Sequence, residues 1–212
     1  MALAKICGLS TPATVDAALA GGAAFVGFMF FAASPRVVSL PFADHLAAPA
    51  RSKAKVVAVT VDPDDDFLAR LMSELAPDLI QLHGAESPRR VREVAERTGA
   101  GVIKAVAVSE AADVEGARGF ESSADHLMFD ASPPAAATRP GGLGAPFDWT
   151  LLAGRRLARP WFLAGGLDPW NVAGAIAASG APMVDVSSGV ERGPGLKDPA
   201  LITHFLGAVG AP

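Results

Sequence analysis

Short apolar runs alternate with amphipathic stretches along the whole chain. Residues 2–7, 25–30, 55–61, 79–82, 101–108, 126–130, 161–164 and 183–186 each form a brief, nearly uninterrupted apolar run, the pattern of a strand buried on both faces. Between them apolar residues recur at helical spacing. Val15, Ala18 and Leu19 make one such stripe, and Phe67, Leu68, Leu71, Met72 and Leu75 a second. Val91, Val94 and Ala95, then Val172, Ala175 and Ile176, and finally Leu201, Ile202, Phe205, Leu206 and Val209 make three more. Weaker helical stretches run from Pro41 to about Ala50 and from Glu110 to about Gly119, and another begins at Phe147–Leu152. Five helices share one start signal, a Thr, Ser or Asp followed by Pro, at Thr11, Asp62, Ser87, Asp168 and Asp198. Strict alternation of eight strands with eight helices predicts a parallel sheet with right-handed crossovers. The expected fold is α/β, a single (β/α)8 TIM barrel over residues 1–212. A six-stranded doubly wound sheet would require two of the strands to be spurious, and no G-x-G-x-x-G follows the first strand.

Composition narrows the class. Half of the 212 residues are hydrophobic and 19% are charged, enough to bury a large core, although Ala and Gly inflate the apolar share. No run of about 18 apolar residues occurs, so no membrane partner is expected. Met1 leads straight into a strand-like segment, without the basic and apolar regions of a signal peptide, and the single cysteine fits a reducing compartment. A cytoplasmic location is therefore expected. The net charge of −4 offers no general attraction to nucleic acid.

In a barrel the chemistry gathers where the strands end. The tips read from the sequence are Cys7, Phe30, Val61, His83, Val108, Asp130, Gly165 and Ser187. Cys7 is either an inert buried thiol or a reactive one; Lys5, on the same face by strand periodicity, would favour the thiolate. Asp130 ends an otherwise uncharged strand, where a carboxylate is costly unless used or paired, though a turn-capping role is also open. His83 reads either as a satisfied imidazole or as a group placed against a ligand. Asp185, on the last strand, and Arg36, on the loop after the second, complete the polar candidates. Gly165-Gly166 and Ser187-Ser188-Gly189 end neighbouring strands, and two such turns make a nest of backbone N–H donors suited to phosphate. The stretch after Asp130, SPPAAATRPGGLGAPFDW, is long and aperiodic, as functional loops often are. No metal-ligand spacing, Ser-His-Asp set or Walker loop is present.

The segments KICGLST (5–11), GFMFFAASPRVVS (27–39), LIQLHGAE (79–86), VIKAVAV (102–108), LMFD (127–130), GGLGAPFDW (141–149), FLAGGLDPWNV (162–172) and VDVSSGVERGPGLKD (184–198) together resemble the phosphoribosylanthranilate isomerases of tryptophan biosynthesis, in order and over the whole chain. That resemblance implies a barrel that uses no cofactor or metal and carries out an Amadori rearrangement on a small-molecule substrate, as a monomer or homodimer. Carried onto this sequence, it implies Cys7 as general base, Asp130 as general acid and Arg36 facing the anthranilate carboxylate. It also implies Gly142, Gly144, Gly165, Gly166, Ser188 and Gly189 around the phosphate and Asp185 facing the active site, while His83 is a substrate-facing candidate from its Gln81-Leu82-His83-Gly84 setting alone. The chain departs from the family pattern at 141–146, where GGLGAP replaces a loop that usually ends in lysine. A histidine-branch sugar-phosphate isomerase would carry aspartates at the first and fifth strand ends, which here are Cys7 and Val108. An indole-glycerol-phosphate synthase would need lysine and glutamate at its tips, and a phosphate-sensing barrel would not need both Cys7 and Asp130.

Overall fold

The computed structural model describes residues 1–132 and 146–210. Eight parallel strands close into a barrel in chain order: β1 (Leu3–Cys7), β2 (Phe25–Met29), β3 (Lys55–Thr60), β4 (Leu79–Leu82), β5 (Gly101–Val108), β6 (His126–Ala131), β7 (Trp161–Leu163) and β8 (Met183–Val186). The barrel closes where β1 pairs with β8, Lys5 opposite Asp185. Helices α1 (Pro12–Ala20), α2 (Leu40–Ala47), α3 (Asp65–Glu74), α4 (Pro88–Thr98), α5 (Ala111–Gly116), α6 (Val172–Ser179) and α7 (Pro199–Gly210) follow β1, β2, β3, β4, β5, β7 and β8.

Strand periodicity sorts the core into two layers. Val56 and Ala58 join the layer between strands and helices, while Val57 and Val59 join an inner cluster with Cys7, Phe25, Leu79, Ile103, Ala105, Met128, Phe162, Ala164 and Met183. At the starts of β2, β6 and β7 the rings of Phe25, His126 and Phe162 meet edge-on or tilted, with Phe25 and Phe162 centroids 5.1 Å apart. Aromatic packing thus fills that end, and the opposite end is left for chemistry.

Local chemistry sets the helix starts. Thr11 and Ser87 cap α1 and α4 by accepting from Thr14 N and Arg90 N. Two of the expected caps move. Asp64, not Asp62, caps α3 by accepting from Phe67 N at 2.7 Å, and Asp65 and Asp66 then place negative charge in its first turn. Asp62 sits at φ 44° and accepts from Ala85 N at 2.9 Å, which ties the β3 end to the loop after β4. Asp168 caps a turn through Trp170 N and Asn171 N, and regular α6 begins only at Val172.

The helix expected from Phe147 contracts to one 3-10 turn, Trp149–Leu152, capped by Asp148. Gly154 then takes φ 68° and redirects the chain, so no longer helix forms before β7. A second difference lies after β8. A 3-10 turn, Ser188–Val190, leads into an antiparallel hairpin of β9 (Glu191–Gly193) and β10 (Leu196–Lys197). Gly195, at φ 81°, makes its turn.

Candidate active site

Cys7 ends β1 in the inner cluster and is 4% exposed. Gly8, at φ 74°, turns the chain, and both Gly8 N and Leu9 N donate to Gly27 O. Gly27, opposite Cys7 on β2, leaves room for the thiol: a Cβ there would lie 3.3 Å from both Cys7 Sγ and Lys5 Cε. Lys5 Nζ lies 2.7 Å from Asp185 Oδ1, a buried pair directly across the β1–β8 seam. Burial pushes the Cys7 thiol above its ordinary value; Lys5 opposes that rise, Asp185 adds to it, and Lys197 opposes it. Lys5 therefore favours the thiolate as its position suggested, but desolvation wins in the substrate-free protein. Burial alone would lower the Lys5 ammonium, yet Asp185 and Cys7 outweigh it and hold the ammonium above the usual lysine range.

Arg36 is not a solvated loop arginine; it is 3% exposed. Its Nε and Nη2 meet Glu191 Oε1 and Oε2 at 2.6 and 2.8 Å, a bidentate pair. The stem of Arg36 lies on Gly8, where a Cβ would come within 2.6 Å of Arg36 Cδ. Cys7, Asp185 and Arg36 are thereby gathered on one side of the mouth.

On the other side, Asp130 is the penultimate residue of β6, 7% exposed. Its Oδ1 accepts from Ala131 N at 2.9 Å, and its Oδ2 lies 3.3 Å from His83 Nε2. His83 Nδ1 faces Gln81 Nε2 at 3.2 Å, and that amide also meets Met128 Sδ at 3.3 Å. The imidazole therefore bridges the two groups, Nδ1 towards the Gln81 amide and Nε2 towards Asp130. The loop that carries His83 is clamped by Lys104, whose Nζ donates to Gly84 O at 2.7 Å and Glu86 Oε2 at 2.6 Å.

The two glycine turns adjoin each other. Gly165 and Gly166 take φ 82° and 68°, and a Cβ on Gly165 would lie 2.6 Å from Ala131 N and 3.1 Å from Asp130 Oδ1. A Cβ on Gly189 would lie 1.9 Å from Leu167 O, so the β8 turn, with Ser188, rests directly on the β7 turn. Gly142 and Gly144 lie outside the described residues. Among the described residues, no group of three or more His, Cys, Asp or Glu side chains is placed to hold a metal ion, and no helix is long and apolar enough to cross a membrane.

Glu191, Lys197, Gln81 and the Lys104–Glu86 clamp were not singled out from sequence for the site. Their signal was a charged or amide side chain set in an apolar or Gly/Pro run, as in LIQLHGAE and VERGPGLKD.

The family model described as N-(5'phosphoribosyl)anthranilate (PRA) isomerase matches residues 4–208. The chain is 66% identical over 210 residues to the N-(5'-phosphoribosyl)anthranilate isomerase of Caulobacter sp. (strain K31), covering 99% of each. Among solved structures it is similar to phosphoribosyl anthranilate isomerase from Thermotoga maritima, with a TM-score of 0.88, 34% identity and full coverage of both chains. It is also similar, with a TM-score of 0.85, 33% identity and full coverage of both, to a phosphoribosyl anthranilate isomerase in complex with reduced 1-(o-carboxyphenylamino)-1-deoxyribulose 5-phosphate.

Proposed function

The chain belongs to the N-(5'-phosphoribosyl)anthranilate isomerase family, and on that premise we propose that Cys7 and Asp130 divide the proton transfers of its reaction between them. The reaction is the Amadori rearrangement of N-(5-phosphoribosyl)anthranilate to 1-(2-carboxyphenylamino)-1-deoxyribulose 5-phosphate, a step of tryptophan biosynthesis. The observation that carries the assignment is the placement of a buried thiol and a buried carboxyl at strand ends on one face of the barrel, each with its own partners.

Asp130 gives a proton to the furanose ring oxygen, the C1′–O bond breaks, and the nitrogen lone pair forms the Schiff base. The Cys7 thiolate then takes the C2′ proton, and the C2′–H electrons neutralise the iminium as an enolamine. The enolamine ketonises with a proton gained at C1′ and one lost from the C2′ hydroxyl, so the product is an isomer and no oxidant is needed. In the closed sheet β7 and β8 separate β1 from β6, so acid and base approach the sugar from different directions.

Substrate ends are held separately in this reading. Arg36, lying on Gly8 beside the base, faces the anthranilate carboxylate, and Asp185 lines the same side. The adjoining turns at Gly165-Gly166 and Ser188-Gly189 take the phosphate with backbone N–H groups. A base that must remain a thiol fits a reducing cytoplasm. The test is the decay of substrate fluorescence with freshly prepared phosphoribosylanthranilate. Wild-type protein should turn it over, and Cys7→Ala and Asp130→Asn should not do so at comparable rates; two variants of near wild-type rate would remove the assignment.

A further inference from the structure

The β9–β10 hairpin is not required by a βα repeat, yet it carries two ionisable side chains buried against the site. The side chains of Glu191 and Lys197 are 3% and 1% exposed. Lys197 Nζ donates to Ser187 O at 2.8 Å, Ser187 Oγ at 3.2 Å and Glu191 Oε1 at 2.6 Å. Ser187 Oγ donates in turn to the Cys7 carbonyl oxygen at 3.2 Å, so Lys197 is two hydrogen bonds from the β1 tip. The other end of the hairpin is fixed as closely. Gly195 N donates to Glu191 Oε2 at 3.1 Å, and a Cβ on Gly195 would lie 2.5 Å from Pro35 O, next to Arg36.

Glu191 therefore serves two cations, with Oε1 shared between Arg36 Nε and Lys197 Nζ. Together with the Lys5–Asp185 pair, these five side chains comprise three cations (Lys5, Arg36, Lys197) and two carboxylates (Asp185, Glu191). Buried positive charge in excess of its carboxylates is costly unless a further anion is accommodated beside it. The Cys7 thiolate is such an anion: burial holds the Lys197 ammonium below the usual lysine range, Glu191 and a thiolate at Cys7 oppose that fall, and the positive charge of Lys5 and Lys197 in turn favours the thiolate.

We propose that Lys197 and Glu191 are positioning residues for the isomerisation: Lys197 supplies, after Lys5, a second positive charge to the Cys7 end of β1, and Glu191 fixes both that charge and the Arg36 fork. This rests on the reading of Cys7 as the base. One ion-pair chain then orients the group that selects the aromatic acid and favours the group that takes the proton. Charged groups facing the thiol are Lys5 from β1, Asp185 from β8 and Lys197 from β10, with Arg36 and Glu191 one contact further along the chain.

Cys7 is the only cysteine in the sequence, so alkylation of substrate-free protein by iodoacetamide reads its thiolate fraction without turnover. Lys197→Met and Lys197→Gln should each slow alkylation at fixed pH by about tenfold, the equivalent of one pKa unit, and lower kcat with little change in KM. Glu191→Gln should raise KM by about tenfold through loss of the Arg36 clamp. Wild-type alkylation rates in both Lys197 variants, or in Lys197→Gln alone, would overturn the charge role, since glutamine keeps donors and loses only the charge. An unchanged KM in Glu191→Gln would overturn the clamp. Should the neutral variants fail to fold, Lys197→Arg keeps the charge and should alkylate near the wild-type rate; a tenfold loss there would also overturn the proposal. Failure of the base assignment is separable, because it shows as retained kcat in Cys7→Ala whatever the alkylation data give.

Discussion

The two sides of the barrel mouth are built from different materials. Around Cys7 lie Lys5, Asp185, Lys197, Glu191 and Arg36, joined by ion pairs of 2.6 to 2.8 Å. Around Asp130 lie an imidazole, an amide, a thioether and two backbone turns, and among the described residues its only ion-pair partner is His83. The contrast bears on the base: a buried thiol that must become an anion gains from neighbouring cations.

The largest effects should come from deleting the centre of either side. Cys7→Ala and Asp130→Asn are each expected to lower kcat by about 10²-fold or more, the usual range for a lost general base or acid. KM should move less, since neither group anchors the phosphate. Near wild-type kcat in either variant, measured by fluorescence decay, would make that side scaffolding rather than chemistry. Next in size is Arg36→Ala, which belongs to the charged side but acts on binding. Losing a charge-assisted pair costs about 1.5–3 kcal/mol, so kcat/KM should fall about 10- to 100-fold. Inhibition by inorganic phosphate should stay at its wild-type strength. A parallel loss of phosphate affinity would mean that Arg36 supports the fold or the phosphate turns, and the carboxylate role would go.

A pH series sharpens the comparison further. Burial holds the Cys7 thiol above its ordinary value, so in the substrate-free protein the thiol is protonated through the neutral range. The sign is then fixed: the thiolate fraction rises with pH and has not levelled off at the ordinary thiol pKa. Iodoacetamide alkylation should climb by about tenfold per pH unit through neutrality and continue to climb past the point where free cysteine levels off. A plateau below that point would mean that the cations beat desolvation and that the base rests as a thiolate.

Much of this was legible in the sequence because a barrel strand is buried on both faces. Apolar runs such as Lys55–Val61 and Gly101–Val108 therefore stood out, and the tips Cys7 and Asp130 followed from where those runs ended. Arg36 was legible as a candidate, but its burial was not, because the partner Glu191 is 155 residues away and no local pattern connects them. The hairpin was missed for a related reason. Glu191-Arg192-Gly193 and Leu196-Lys197 are too short for an alternating pattern, and their pairing is fixed by contact with Pro35 and Ser187. The cap displaced from Asp62 to Asp64 has the same origin: the neighbouring strand β4 supplied the loop that Asp62 ties down.

The smallest effect on rate is expected at His83, and its form decides how the neutral side works. Both imidazole nitrogens face protein groups, Nδ1 towards Gln81 and Nε2 towards Asp130 at 3.3 Å. That last contact is long for a charge-assisted hydrogen bond. Asp130 keeps a second tie in the Ala131 N–H at 2.9 Å, and Gly165 packs close to its Oδ1. His83→Ala should therefore remove one modest contact and leave the carboxyl in place. At about 0.5–1.5 kcal/mol for such a bond, kcat should fall about 2- to 12-fold. If His83 reaches the substrate through Asp130, that loss appears in kcat with KM unchanged. If it touches the sugar directly, KM rises and kcat is kept. A loss as large as that of Asp130→Asn would show that His83 carries the proton itself, and the neutral side would then hold a relay rather than a single acid.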